Sequence, residues 1–330
     1  MTDIARVAGV SQKTVSRVVN NAPNVSEEVR NRVNAAIESL GFRPNSTARA
    51  LVSQRSTVIG IVTLGSALYG AAAQVIGVER AARASGYSTL LVSTLGAQHS
   101  EIEGAIQQLL DRGVDGIVLS EPVDDSYLSP RLLGATPLVS LGSLLRPLGQ
   151  QVAIGYNQVT GALRATEHLL GLGHTTVWHI AGPDDFPDSA SRERGWREAL
   201  ESRGARVPPT LRGDWTARSG YIAARELARN NKVTAIFVAN DRMAIGVLRA
   251  LYEAGRRVPE DVSIVGFDDI PEAEFQMIPL TTMRQNFEES TTRAVHELVT
   301  MIQGKPVSNK RIELRPELIV RNSTAAPPPH

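Results

Sequence analysis

Two sets of residues in this 330-residue chain carry functional groups at spacings that could do chemistry. The first is the run Ser11, Gln12, Lys13, Thr14, Ser16, Arg17 and Asn20, dense in side chains that donate hydrogen bonds to phosphates or to base edges. The second is Arg192, Trp215, Asn240 and Asp268, with Asp188 and Tyr69 beside them. Charged and amide groups of this kind make bidentate bonds to vicinal hydroxyls, and an indole stacks on the apolar face of a sugar ring. Neither set contains a nucleophile paired with a base. The chain has no cysteine, and its six histidines are scattered without metal-ligand spacing. His179, inside an apolar run, and His296, in a helical pattern, read as core or surface residues. No Gly-x-Gly-x-x-Gly follows a strand, and no phosphate-loop motif occurs. These absences predict no catalytic residue, no metal and no cofactor, and give an enzyme nothing to work with.

The first set needs a helix pair to present it. Ile4, Ala5 and Ala8 supply one short apolar face, Gly9 permits a tight turn, and Ser11 can cap a second helix packed through Val15, Val18 and Val19. That is a helix-turn-helix. Asn21 to Asn24 breaks the chain, and Ser26, followed by Glu27 and Glu28, starts a third helix. Its stripe is Val29, Val33, Ile37 and Leu40, and Gly41 ends it. Charge follows the same division. Residues 1–56 hold eight Lys or Arg against four acids, a net of +4, which leaves the remainder at −3 because the whole chain is +1. A basic head on a slightly acidic body is the asymmetry of a nucleic-acid module joined to something else.

The second set needs strand ends. From Thr57 onward apolar runs alternate with helical patterns. Runs at 58–62, 89–92, 116–119, 137–141 and 152–154 form one series, and runs at 177–181, 235–239 and 262–267 a second. Strand then helix, repeated, gives doubly wound sheets, and two series give two lobes. Ligands in such folds sit beyond the carboxyl ends of strands. Asn240, Asp241, Asp268 and Asp269 fall there, and Arg192 falls at the start of a helix. Asp241 and Asp269 read as caps of the following helix or turn, whereas Arg192, Asn240, Asp268 and Trp215 are candidates for ligand contact, a role that the resemblance set out below implies. Tyr69, after the first strand, is a weaker lining candidate.

The segment from Asp3 to Leu51, with Ala-Gly-Val-Ser-x-x-Thr-Val-Ser-Arg-Val-Val-Asn, Val25-Ser26, Gly41-Phe42-x-Pro44-Asn45 and Ala48-x-x-Leu51, resembles the DNA-binding and hinge region of the lactose-repressor/galactose-repressor family. The body resembles that family's regulatory core, which has the architecture of periplasmic sugar-binding proteins. The resemblance implies base-reading roles for Gln12, Lys13 and Arg17. Phosphate or supporting contacts would fall to Ser11, Thr14, Ser16, Asn20, Asn24 and Ser26, and a minor-groove wedge to Leu51 beside Asn45 and Ala48. It implies a helix-turn-helix domain at 1–44, a hinge at 45–56, a first lobe of 57–156 plus about 286–314, a second lobe of 157–285 plus about 315–324, and a flexible tail at 325–330. The chain would cross between lobes three times.

The implied protein is a homodimeric repressor of carbohydrate-utilisation genes on a near-palindromic operator, released by a mono- or disaccharide. Without a signal peptide or a membrane span it would be cytoplasmic. A corepressor-dependent regulator and a plain sugar-binding protein are the alternatives. Three departures bear on the ligand. Gly142 stands where a galactoside-binding member presents a carboxylate, Asn157 where many members have Asp, and Asp188 where such a member has a hydroxyl residue. A fourth concerns the first helix, which lacks the Thr cap of family members, so either the start is truncated or the cap is lost.

Overall fold

A computed structural model describes residues 1–19, 22–42, 55–65, 68–94, 98–120, 130–142, 151–307 and 310–329. Contacts divide the chain into one compact unit from Met1 to Thr57 and another from Val58 to His330.

The first unit is built from α1 (Thr2–Ala8), α2 (Gln12–Val19) and α3 (Glu27–Ser39). Its core is Ile4, Ala5, Ala8, Val15, Val18, Val33 and Ala36, with Val10, Val25, Val29, Ile37 and Phe42 packed around it. Gly9 takes the left-handed conformation (φ 64°) that lets α1 end and α2 begin within three residues. Ser26 Oγ accepts from the Val29 amide at 3.4 Å and caps α3. No side chain caps α1. The first turn of that helix is therefore closed by backbone bonds alone, such as Ala5 N–H to Met1 C=O at 3.0 Å.

The second unit contains two six-stranded sheets. In the first, β1 (Val58–Thr63) lies between β2 (Ser88–Ser93) and β3 (Gly116–Leu119), followed by β4 (Leu138–Leu141), β5 (Gln151–Tyr156) and β11 (Arg311–Leu314), all parallel. The second has the order β12-β10-β9-β8-β6-β7: β6 (Trp178–Ala181), β7 (Leu211–Arg212), β8 (Ala235–Val238), β9 (Ser263–Asp268) and β10 (Thr281–Arg284) are parallel, and β12 (Glu317–Ile319) is antiparallel to β10. Strands β3, β4 and β8 are buried along their whole length, which is why they read as apolar runs broken only by Ser140 in β4. The chain passes between the sheets after β5, after β10 and after β11.

Six helices position the site: α4 (Tyr69–Ala84), α7 (Gln158–Gly171), α8 (Pro187–Ser202), α9 (Ala217–Ala228), α10 (Asp241–Glu253) and α11 (Phe287–Ile302); α5 (His99–Asp111) and α6 (Pro130–Leu133) complete the first lobe. Beyond β12 the chain stays attached to the second sheet. Ser263 Oγ and the backbone of Ala325 exchange bonds at 3.0 Å, and His174 Nε2 lies 3.0 Å from the Ala325 carbonyl. Any free tail therefore starts later than the expected residue 325. Among the described residues no helix is long and apolar enough to cross a membrane.

Candidate functional site

On the head, Ser11, Gln12, Lys13 and Arg17 are exposed and Thr14 and Ser16 half-buried, while Val15 and Val18 face inward. Lys13 and Arg17 are one helical turn apart and so share a face. Ser11 Oγ accepts from the Thr14 amide at 3.1 Å and lies 2.9 Å from the Thr14 hydroxyl, so Ser11 fixes the start of α2. Gln12 is tied back to α1, its Nε2 donating to Thr2 Oγ1 at 2.5 Å. Asn24 is exposed at a left-handed turn (φ 68°). Asn20, Asn45, Ala48 and Leu51, with the expected hinge helix, lie outside the described residues.

All six ligand candidates, Tyr69, Asp188, Arg192, Trp215, Asn240 and Asp268, line one cleft between the two sheets. Its centre is Arg192, 4% exposed and held from several sides. Nε donates to Gln158 Oε1 at 2.9 Å, Nη1 donates to the Ala239 carbonyl, and Nη2 is 3.5 Å from Asp268 Oδ1. The guanidinium lies 3.8 Å from the centroid of Phe267 and 5.6 Å from that of Trp215. A guanidinium has five N–H donors, so each terminal nitrogen keeps one for a ligand.

Gln158 Nε2 donates to Gln285 Oε1 at 2.9 Å, and Gln285 Nε2 donates to Asp268 Oδ1 at 2.8 Å. Arg192, Gln158, Gln285 and Asp268 thus form a closed ring of charged and amide groups. The two glutamines stand where the chain crosses between sheets, one after β5 and the other after β10. Neither was among the sequence candidates. Gln158 is hidden as the first residue of a helix, and Gln285 follows a strand too polar, Thr-Thr-Met-Arg, to read as one.

The capping role expected of Asp241 belongs to Asn240. Asn240 Oδ1 accepts from the Met243 amide at 2.9 Å, and its Nδ2 donates to the Trp215 carbonyl at 3.2 Å. Asp241 is instead a buried brace: Oδ2 accepts from the Ile270 amide at 2.9 Å and Oδ1 from the Thr282 hydroxyl at 2.6 Å. Asp269 is braced by Arg284 at 2.6 Å and Arg321 at 2.7 Å. Both acids are held by side chains and amides of neighbouring strands and loops rather than acting as caps.

Trp215 is 6% exposed and joins the second-lobe core while one face lines the cleft. Its ring lies against Gly182, where a Cβ would come within 2.3 Å of ring atoms, and Phe186 meets it edge-on at 5.8 Å. Trp215 (φ 71°) and Asp268 (φ 104°) are non-glycine residues in left-handed backbone, a conformation that costs about 1–3 kcal/mol and persists only where the surroundings impose it.

Burial dominates the electrostatics. It pushes the Asp268 carboxyl up to about 6, against the opposing pull of Arg192 and Gln285. Asp188 is also raised by burial, with Arg192 pulling the other way. Tyr69 is raised by burial first and then by Asp268. The cleft therefore offers one strong donor, two carboxylates, an amide and an aromatic face, an arrangement for binding a neutral hydroxylated molecule. Among the described residues no cluster of His, Cys, Asp or Glu could hold a metal.

The departures noted in the sequence have local reasons. Gly142 lines the cleft at φ 103°, where a side chain would be strained. Asn157 caps α7 through Thr160 N–H at 2.8 Å and donates through Nδ2 to Glu313 at 2.5 Å. An aspartate at 157 would put two carboxylates face to face.

Residues 1–45 match the family model for bacterial regulatory proteins, lacI family, and residues 166–324 match that for a periplasmic binding protein-like domain. The lactose operon repressor of Escherichia coli (strain K12) is 32% identical over 329 residues, covering 98% of this chain and 90% of the relative. The lac repressor dimer bound to operator and the anti-inducer ONPF superposes with a TM-score of 0.89 at 32% identity, covering 98% of both chains. A transcriptional regulator CelR–cellobiose complex does so with a TM-score of 0.70 at 33% identity, covering 97% of this chain and 98% of the other. At 32% identity over nearly the whole of both chains, this chain belongs to the lacI family of bacterial regulatory proteins.

Proposed function

We propose that the protein is a cytoplasmic, homodimeric repressor of carbohydrate-utilisation genes that leaves a near-palindromic operator when a mono- or disaccharide binds in the cleft. The observation that carries the reading is the ring of Arg192, Gln158, Gln285 and Asp268, because it joins the ligand-facing groups to two of the three crossovers about which the lobes can turn. A sugar hydroxyl that accepts from Arg192 and donates to Asp268 perturbs both ends of this ring at once. Asn240 and Asp188 add polar contacts, Trp215 stacks on the ring face, and Tyr69 closes the first-lobe side.

In the head, Gln12, Lys13 and Arg17 reach base edges, and Ser11, Thr14, Ser16, Asn20, Asn24 and Ser26 position it on phosphates. The hinge segment 45–56, with Leu51 as wedge beside Asn45 and Ala48, carries the signal. A second copy needs apolar surface to cover, and Ile222, Tyr252, Phe275 and Met277 on the second lobe are large apolar side chains left exposed. Coupling between the two sites is commonly about 1–3 kcal/mol and reciprocal, so operator should weaken sugar binding by the same factor.

The test is a titration of labelled operator by wild type, Lys13→Ala and Arg17→Ala, followed by sugar binding to each protein alone. Each variant should lose about 1–3 kcal/mol of operator affinity and keep its sugar affinity. Equal losses of both would contradict the division of labour. A ligand that strengthens operator binding would select the corepressor alternative.

A further inference from the structure

Trp215 and Arg192 reach the cleft from different elements. Trp215 follows β7, an edge strand of two residues that pairs only Leu211 with Ile180 and Arg212 with Ala181. Arg192 stands on α8, which the chain enters from β6 through the loop 182–186. A strand this short leaves the alignment of tryptophan, loop and helix to side chains.

Arg212, the last residue of β7, joins all three. Its Nε lies 2.7 Å from Asp184 Oδ1 in the loop, Nη1 donates to the Gly182 carbonyl at 3.4 Å, and Nη2 donates to Glu193 Oε2 on α8 at 2.7 Å. Glu193 is fixed in turn, its Oε1 accepting from the Thr210 hydroxyl at 2.8 Å and lying 3.5 Å from Arg197 Nη2. A planar guanidinium that holds two carboxylates and a carbonyl sets direction as well as distance. Arg212 and Asp184 are exposed and Glu193 is half-buried. Exposed pairs add little to global stability, so this clamp acts locally, on the loop and the helix start.

The clamped elements carry cleft groups. Phe186 ends the loop, packs on the second-lobe core and meets the Trp215 ring edge-on at 5.8 Å. Gly182, whose carbonyl Arg212 holds, lies against the same indole. Phe186, Asp188, Arg192 and Trp215 all line the cleft, whereas Asp184, Glu193 and Arg212 stand outside that lining.

We infer that Arg212 is a positioning residue for the effector: with Asp184 and Glu193 it clamps the 182–186 loop and α8 to β7, keeps Phe186 edge-on to Trp215, and so sets sugar affinity without touching the sugar. This rests on the reading of the cleft as a sugar site. Loss of the fork frees the loop from β7, and the aromatic edge that backs the indole moves with it.

The experiment uses the full-length protein and two readouts. Without ligand, hydrogen exchange is followed at the Phe186 and Ala190 amides, both bonded to backbone carbonyls. Exchange there should quicken about tenfold in Arg212→Gln and stay within about twofold in β8. Calorimetry with glucose, galactose, cellobiose and lactose then identifies a sugar that the wild type binds. Arg212→Gln should weaken that sugar about fivefold or more, and in a Phe186→Ala background the same change should cost less than about twofold. A role in general stability would lower affinity by the same factor with or without the Phe186 ring. Should Arg212→Gln fail to fold, Arg212→Lys stands in for it, with about threefold as the threshold. Unchanged exchange at Phe186 and Ala190, an affinity equal to wild type, or a full loss in the Phe186→Ala background would each overturn the inference alone. If none of the four sugars binds the wild type, the sugar-site reading fails and the inference with it, so the two failures are told apart.

Discussion

The two walls of the cleft are made on different plans. On the second-lobe side Arg192 and Asp268, with Gln158 and Gln285 at the crossovers, satisfy one another before any ligand arrives, and Asn240 is committed to capping α10 and holding Trp215. On the first-lobe side Gln74 and Ser120 hold buried oxygens without partners among the described residues. One wall has its polar groups paired within the fold, whereas the other carries buried oxygens that the described residues leave unpaired. A difference of this kind lets ligand occupancy alter the relation between lobes, because a ligand shifts an equilibrium only through its differential affinity for the two states.

The most severe way to break the preorganised wall is Arg192→Ala. It leaves Asp268 buried beside Asp188 without its cation, so calorimetry should show sugar affinity falling more than a hundredfold. Denaturant unfolding should show a loss of about 3–5 kcal/mol, the usual cost of removing one partner of a buried pair. Operator affinity should stay within about threefold, since the head folds around its own core.

Acid acts on the second lobe through buried groups of opposite sign, His179 and Asp268. His179 is fully buried between Phe237 and Trp196, and burial lowers its pKa from the usual 6.5 to about 4. A depressed histidine pKa means the neutral form is favoured in the folded state. Its contribution is therefore complete above pH 6.5 and lost as pH falls from there through about 4, amounting to about 3 kcal/mol at 1.4 kcal/mol per unit. All three tryptophans, Trp178, Trp196 and Trp215, lie in the second lobe, so their fluorescence reports that lobe alone. Protonation of Asp268 stabilises the same lobe over the same range, so the discriminating result is a denaturant midpoint that moves toward lower values from pH 6.5 to 4 in the wild type relative to His179→Gln.

Gln158→Leu sharpens the comparison by opening the ring without removing a charge. It strands Arg192 Nε and Gln285 Oε1, which should cost about 1–3 kcal/mol of stability and weaken the coupling between sugar and operator more than it weakens sugar binding itself. The smallest effect should come from pH acting on Asp268. Its raised pKa of about 6 means that the folded state favours the protonated form: the associated stability is fully present below the ordinary carboxylate value and is lost as pH rises through 6. Sugar binding has the opposite sign, because the ionised carboxylate is the acceptor. Affinity should fall about tenfold from pH 7 to pH 5 in the wild type and stay flatter in Asp268→Asn.

Much of this was legible in the sequence because it follows from periodicity. The buried strands β1, β3, β8 and β9 are continuous apolar runs, and the rule that ligands gather beyond strand ends leads straight to Asn240 and Asp268. The exposed polar face of α2 follows from the inward spacing of Val15 and Val18. What the sequence concealed depends on tertiary pairing. Asn240 and Asp241 are adjacent and both suit a cap, and only the Thr282 hydroxyl and Ile270 amide draw Asp241 into the core. Gln285 could not be placed while Thr281–Arg284 looked too polar for a strand, its Thr hydroxyls being satisfied by Asp241 and by the segment around Arg321. Ser120 stands at a strand end and the same rule reaches it. Gln74, on an alanine-rich helix, gives no signal until the cleft is assembled.

A sugar in the cleft that loosens the head from DNA must lower the affinity of the full-length protein for operator. Its most direct measurement is the anisotropy of labelled operator titrated with full-length protein, with and without a saturating sugar that calorimetry shows to bind. Sugar should weaken operator binding by about 5- to 150-fold, the range of about 1–3 kcal/mol of coupling, and Arg192→Ala should give the same operator curve in both conditions. A bound sugar that leaves the wild-type operator curve unmoved, or tightens it, would contradict the account.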